Sequence, residues 1–482
     1  METSLDRRAF LKSVAAFAAV PVLGLTQASA RKPNIVFIMA DDLGWQELGC
    51  YGQKRIRTPH LDRMAVEGMR FTRYYAGSAV CAPSRCNLLT GKHGGHAFVR
   101  DNHEIANPDR RIFGGQLPIP ADEITVAEML KTCGYTAGCF GKWGLGAPGS
   151  SGDPLSQGFD RFYGYNCQRH AHNLYPSYLV RDRERDVLDG NSDGLTGEQY
   201  APERIGEEMF QFIRRNRNRP FFVYFASVTP HLALQVPEKD LAEYAGLWKE
   251  EPYAGTSYLP HPTPKACYAA MIGFLDRQVG KLFALLRELG LDKNTIVFFT
   301  SDNGTTTLKE QVDADFFESV GPLRGLKGSL YEGGIRVPMI ARWPGRIPAA
   351  TVSDHTAAHY DIMATLAEIA GGPVPPGTDG IGFLPSLLGQ SNRQQTHEYL
   401  FWDFSGYGGQ LAARLGRWKG IKKDLRKNPD AALELYDLES DIGEKNDVAR
   451  LHTDTSARME AVMREGRTMP PFEGFRFGRY GG

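Results

Sequence analysis

Five short apolar runs recur along the chain between polar, glycine-rich breaks. They are Ile35 to Ala40, 135–140 (YTAGCF), 221–228 (FFVYFASV), 295–300 (TIVFFT) and 337–343 (VPMIARW). Each is continuous and rich in β-branched and aromatic residues, which predicts strands buried on both faces of a parallel sheet. The intervening segments 122–132, 202–215, 266–289 and 358–370 carry apolar residues at helical spacing. In "TPHLDRMAVEGMRF", Thr58 suits an N-cap, Pro59 suits the first helical position, and Leu61, Met64 and Ala65 share one face. Strand and helix in alternation predict an α/β fold with a large mixed, mostly parallel sheet sandwiched by helices. The texture changes near residue 385. After the loop "GGPVPPGTDG" (371–380) come strand-like pieces at 397–404 and 412–422, then "LELYDLESDIGEKNDVA" (433–449). These predict a small C-terminal α+β domain with an antiparallel sheet, dividing the chain into 31–385 and 386–482.

Residues 1–30 read differently. Arg7 and Arg8 precede the apolar run Val14 to Leu25, and "ASA" (28–30) closes the segment. The run is too short to span a bilayer as a stable helix. The pattern is that of a cleaved signal peptide, and its paired arginines resemble the twin-arginine export signal of bacteria. The expected location is the bacterial periplasm or the exterior, with no transmembrane segment. Formal net charge is +0, which argues against a nucleic-acid partner. Seven cysteines, an odd number, leave at least one outside any disulfide framework.

Polar clusters close four of the apolar runs: Asp41-Asp42, then Lys142 in "GKWGLG", His231 in "TPH", and Asp302-Asn303 in "SDNG". The C-terminal edge of an open α/β sheet is where ligands bind. Asp41, Asp42, Asp302 and Asn303 offer oxygen donors only, which favours Ca²⁺ or Mg²⁺ over zinc. Lys142, Lys327 in "GLKGSLYEGG" and Arg85 add fixed cations, and His231 adds a titratable group. That set suits an anionic, tetrahedral oxyester such as a phosphate or a sulfate. Cys81, in "SAVCAPSRCNLLTG", precedes a helix-compatible run ending at Gly91. Such a cysteine reads either as a thiolate at a helix N-terminus or as a disulfide partner of Cys86.

"CAPSR" followed by "LLTG" resembles the C-x-P-S-R signature of the type I sulfatases, within the alkaline phosphatase superfamily. "NIVFIMADDLG", "GKWGLG", "TPH", "SDNG", "LRGLKGSLYEGGIRVPMIARWPG" and "ELYDLESDIGEKNDVA" extend the resemblance over residues 33–450. It implies an arylsulfatase-like sulfuric ester hydrolase with an alkaline phosphatase-like catalytic domain over 31–385. It also implies that Cys81 is converted by a formylglycine-generating enzyme to Cα-formylglycine. The aldehyde's hydrate would attack the sulfur of a sulfate ester, leaving a sulfated hemiacetal that collapses to aldehyde and sulfate. The implied calcium ligands are Asp41, Asp42, Asp302, Asn303 and modified Cys81. Arg85 would stabilise the diol, Lys142 and Lys327 would bind sulfate, and His231 would protonate the leaving alcohol.

One position departs from the family pattern. The usual G-K-W-H-L-G motif has its His in breakdown of the sulfated intermediate, and here that position is Gly144. In "GKHGGHAFVRDN", His96 and then His93 are the candidates to replace it, and His93 and Arg100 are expected to contact substrate. The altered motif resembles that of sulfatases acting on galactose-type glycans, so the expected substrate is a sulfated carbohydrate. The segment 159–176, "FDRFYGYNCQRHAHNLYP", reads equally as a sugar pocket or a packing loop. Two other readings stand beside this one. A phosphatase or phosphodiesterase of the same superfamily would use two metals and a Ser or Thr nucleophile; a non-catalytic glycan-binding relative would fit the lost His.

Overall fold

The computed structural model describes residues 31–105 and 115–480; the predicted signal peptide lies outside them. A ten-stranded sheet forms the large domain. Its five central strands are parallel, in the order Thr295–Ser301, Asn34–Ala40, Phe221–Ala226, Thr136–Lys142, Arg161–Tyr165. Met339–Arg342 joins antiparallel beside Thr295–Ser301.

The continuous apolar runs have their physical reason in two cores. Successive strand side chains point to opposite faces, so Val36, Ile38 and Ala40 enter one core while Ile35, Phe37 and Met39 enter the other. Helices Pro59–Val66, Ala201–Asn216 and Pro264–Glu288 cover the first face. Helices Cys81–Thr90, Val126–Thr132 and Asp361–Ala370 cover the second. Arg161–Tyr165 was not legible as a strand. It continues through the antiparallel strands Tyr178–Arg181 and Glu184–Val187, so the aromatic segment 159–176 extends the sheet before it loops outward.

The small antiparallel sheet is Leu400–Phe404, Gln410–Leu415, Trp418–Lys422 and Glu434–Asp437. Helix Thr453–Glu465 packs Met459, Val462 and Met463 against Phe401 and Ala413. The sheet's other face, with Trp402, Phe404 and Ala412, meets the large domain through Tyr75, Leu330 and Ile335. Lys419 sits wholly buried there, 2.8 Å from Glu332 and 3.0 Å from Glu444. All seven cysteines are free, Cys81 and Cys86 included. Among the described residues, no helix is long and apolar enough to cross a membrane.

Candidate active site

Strand register assembles the site. Ala40 pairs with Ser301, Met39 with Ala226, and Ala226 with Gly141. The residues that follow, or that end the strand, therefore emerge at one edge: Asp41-Asp42, Asp302-Asn303, Lys142 and, after a short loop, His231. Helix Cys81–Thr90 enters the same edge with Cys81 as its first residue, not just before it, and ends where Gly91 adopts φ 68°. Asn102 accepts the Ala82 N–H at 2.9 Å, which satisfies one of the helix's free donors.

The polar groups interlock. Lys142 Nζ donates to Asp41 Oδ2 at 2.7 Å, and Lys327 Nζ donates to Asp42 Oδ2 at 2.8 Å. Arg85 places Nε and Nη2 on Asp302 Oδ2 at 3.1 and 2.7 Å, and Nη1 on the Lys142 carbonyl at 2.9 Å. Asn303 Nδ2 donates to Asp42 Oδ1 at 2.7 Å. Cys81 Sγ lies 3.3 Å from Asp41 Oδ1 and 3.5 Å from Lys327 Nζ. His231 Nδ1 faces the Leu232 carbonyl at 2.5 Å, which fixes Nδ1 as the protonated nitrogen and leaves Nε2 turned to Asp42 Oδ2, 3.6 Å away.

Three buried carboxylates thus meet three buried cations. Burial pushes the Asp302 carboxyl up to about 6, and Asp41 and Asp42 add to the rise against Arg85. Burial also pushes the Cys81 thiol up, with Asp302 and Asp41 adding to it. A thiolate nucleophile is therefore disfavoured here, whatever the helix N-terminus contributes. Burial, with Lys327 and Lys142 nearby, holds His231 well below its ordinary range.

The residues fit a hard divalent cation. Asn303 Oδ1 is buried with no hydrogen-bond partner among the described residues. One donor atom each from Asp41, Asp42, Cys81 and His231 lies within 4.8 Å of the others. Among the His, Cys and acidic residues this set includes His231 and omits the expected Asp302, whose Oδ2 is engaged by Arg85. The oxygen donors remain the better match to calcium.

The cleft above these groups encloses about 600 Å³ and is lined by Cys81, Asp42, His231 and Lys327. Gln116, Gln168, His172, Tyr258 and Tyr407 also line it, and sequence reasoning named none of them individually. His172 stacks on His231 with centroids 5.2 Å apart. Burial, with His231 and Lys142 nearby, pulls His172 down to about 2. The segment 159–176 divides: Ala171, Leu174 and Tyr175 pack in the core, while Gln168, Arg169 and His172 line the cleft.

Three expected site residues lie elsewhere. His96 Nδ1 bonds Asp379 Oδ1 at 2.8 Å, and the His96 ring stacks on His93. His93 Nδ1 accepts the Gly95 N–H at 3.1 Å, so its proton sits on Nε2, directed at Asp379 Oδ2 3.8 Å away. Burial pulls His93 down to about 4. Neither residue lines the cleft; with Asp379 they form a separate cluster whose donor atoms lie within 4.8 Å of one another. Arg100 is 1% exposed and donates to Asp403 at 2.8 Å and to the carbonyls of Gly95 and Ala97. It ties the small sheet to the large domain and does not line the cleft. Proximity to Cys81 in sequence misled, because helix Cys81–Thr90 carries the chain away from the sheet edge.

Comparison with known proteins follows the same lines. A family model described as Sulfatase matches residues 33–372, and one described as N-sulphoglucosamine sulphohydrolase, C-terminal, matches residues 326–467. N-acetylgalactosamine-6-sulfatase of Canis lupus familiaris is 35% identical over 82% of this chain and 73% of its own length. Arylsulfatase A of Homo sapiens is 34% identical over 86% of this chain and 83% of its own. The structure of Ps i-CgsB in complex with k-i-k-neocarrahexaose superposes with a TM-score of 0.76 at 26% identity, covering 93% of this chain and 95% of that one.

Proposed function

The chain belongs to the sulfatase family, and from that premise we propose that it releases sulfate through a formylglycine made from Cys81, with a calcium ion beside it. It is a sulfuric ester hydrolase acting on sulfated carbohydrate. The observation that carries the finer reading is the buried, protonated Cys81 thiol set among Asp41, Lys327 and the cleft. A thiol in that state is a poor nucleophile, and its position is where one is needed.

Formylglycine supplies an aldehyde whose hydrate is the nucleophile, and the cation supplies positive charge to the sulfate oxygens. Asp41, Asp42, Asp302 and Asn303 would hold the cation. Lys142 and Lys327 bind sulfate oxygens and oppose the charge that develops as the ester bond breaks. Arg85 orients residue 81 and Asp302 together. His231 presents Nε2 to the leaving oxygen, and the anionic substrate, by offsetting Lys327 and Lys142, favours the protonated ring that gives up its proton. Charge balance supports the scheme. With three carboxylates already matched by three cations, a divalent ion leaves a surplus that a sulfate ester and the developing charge offset.

Cys81 is 1% exposed, so conversion by a formylglycine-generating enzyme precedes completion of the fold. Residues 1–30 would then direct export to the periplasm or beyond. Galactose-type glycans lead the candidate substrates, given that the similar proteins include an N-acetylgalactosamine-6-sulfatase and one bound to neocarrahexaose. The test is mass spectrometry of the peptide carrying residue 81, from protein coexpressed with the modifying enzyme, alongside a sulfate-release assay. The expected result is an aldehyde in place of the thiol and loss of activity in Cys81→Ala. Active protein with an unmodified cysteine would sink the mechanism.

A further inference from the structure

Gly144 adopts φ +88°, and a Cβ built on it would lie 2.2 Å from Gln168 Nε2 and 3.7 Å from Gln116 Cγ. The missing side chain is what admits Gln168 into the cleft wall beside Lys142. Gln168 is 5% exposed, yet neither Oε1 nor Nε2 has a hydrogen-bond partner among the described residues. Gln116 is similarly buried; its Nε2 donates to Glu104 Oε1 at 3.3 Å, while its Oε1 has no partner among the described residues. Buried polar atoms in folded proteins are nearly always paired. Three unpaired atoms on two neighbouring carboxamides, all in the wall of one cleft, mark a surface prepared for a polar ligand.

The kind of ligand follows from donor and acceptor character. Sulfate oxygens only accept hydrogen bonds, and Lys142 and Lys327 already serve them. A carboxamide both donates and accepts, which matches a sugar hydroxyl. The cleft lining also includes an aromatic ring. Tyr407 lines the cleft next to Lys327, packs on Gly328, and is 65% exposed at φ 48°. A left-handed backbone is unusual for an aromatic residue and is retained where surrounding structure enforces it. It leaves a ring at the cleft mouth, available to the C–H face of a sugar.

We propose that Gln168 and Gln116 form the carbohydrate subsite of this cleft, reading hydroxyls of the ring that carries the sulfate, with Tyr407 as its stacking platform. The proposal rests on the sulfatase reading above. It assigns the departure at Gly144 a role in substrate recognition: the position gives up a side chain so that Gln168 can reach the sugar.

The experiment compares kcat/KM on 4-methylumbelliferyl sulfate, which has no sugar hydroxyls, with kcat/KM on a sulfated sugar. The sugar is whichever of galactose 6-sulfate, N-acetylgalactosamine 6-sulfate and a carrageenan oligosaccharide the wild type turns over best. In Gln168→Leu and Gln116→Leu the sugar-to-aryl ratio is expected to fall roughly 10- to 100-fold, chiefly through KM. Tyr407→Ala, an exposed change that spares the core, should move the ratio in the same direction. An unchanged ratio in all three variants overturns the proposal. So does a wild type that cleaves the aryl sulfate and none of the sugars. Wild type, formylglycine-bearing protein that releases sulfate from neither class would instead overturn the sulfatase reading on which the proposal stands.

Discussion

Lys142 Nζ stands 2.7 Å from Asp41 Oδ2, and neither side chain has exposed surface. Burial alone would push the Asp41 carboxyl up, but Lys142, with His231, Arg85 and Lys327, outweighs it and holds the group well below the usual carboxylate range. Lys142 is therefore the counter-ion to Asp41, and under the proposed mechanism it would also bind sulfate.

Lys142→Met separates the two roles. It leaves Asp41 buried without its closest cation, at a cost of about 3–5 kcal/mol, and under the proposed mechanism it removes a charge that would stabilise the transition state. Sulfate release should fall by at least about 100-fold. A divalent cation on Asp41 would offset the lost charge, so the variant's melting temperature should recover more than the wild type's when calcium replaces EDTA. Thermal melts in both conditions check this. Equal calcium responses would show that the ion does not sit against Asp41.

His96→Ala is expected to keep turnover within about two-fold and to lower stability by about 1 kcal/mol. The reason is geometric: His96 bonds Asp379 and stacks on His93, whose ring packs on Phe401 of the small sheet, outside the cleft. Steady-state kinetics beside a denaturant melt separate the outcomes, and a large drop in kcat with an unmoved melt would return His96 to the chemistry.

That correction shows what the sequence carries and what it does not. The strand-end clusters were legible because each apolar run stops at a polar group, and a parallel sheet must deliver those ends to one edge. Asp41, Asp302 and Lys142 follow from that rule. His93, His96 and Arg100 were misplaced because nearness along the chain says nothing about direction once a ten-residue helix intervenes. Gln116, Gln168 and Tyr407 were not individually visible. Glutamine and tyrosine have no motif, and only the packed backbone shows that a carboxamide is buried unpaired or that Tyr407 sits at φ 48°. The strand Arg161–Tyr165 was missed for a related reason, since its aromatics fit a pocket or a core equally well.

Glu47 sets a pH dependence of stability. It is buried, accepts the Gly44 N–H at 2.6 Å and the Tyr268 hydroxyl at 2.8 Å, and burial raises it from 4.5 to about 7. Between those values the folded state keeps a proton that the unfolded chain has lost. Stability from this group is therefore greatest at low pH, falls as pH rises from about 4.5 to about 7, and is level above. Glu47→Gln keeps the acceptor oxygen and cannot ionise. Relative to wild type, the variant should gain up to about 3 kcal/mol between pH 5 and pH 8. Urea melts across that range check it, and a constant difference would show that Glu47 is ionised throughout.

Gly144 offers the sharpest test of local packing. An alanine there meets two separate obstacles: a backbone at φ +88°, costing about 1–2 kcal/mol for a side-chain-bearing residue, and Gln168 Nε2 at 2.2 Å from the new Cβ. The first is intrinsic to the position, whereas the second depends on a neighbour that can be removed. Gly144→Ala alone should lose stability from both causes. In the Gly144→Ala/Gln168→Ala double variant only the backbone term remains, so the two changes together should cost less than their sum. A double-mutant cycle of unfolding free energies measures the difference, expected to be about 0.5–3 kcal/mol for residues in contact. Strict additivity would mean that Gln168 swings aside freely, and that its place in the cleft wall is not set by Gly144.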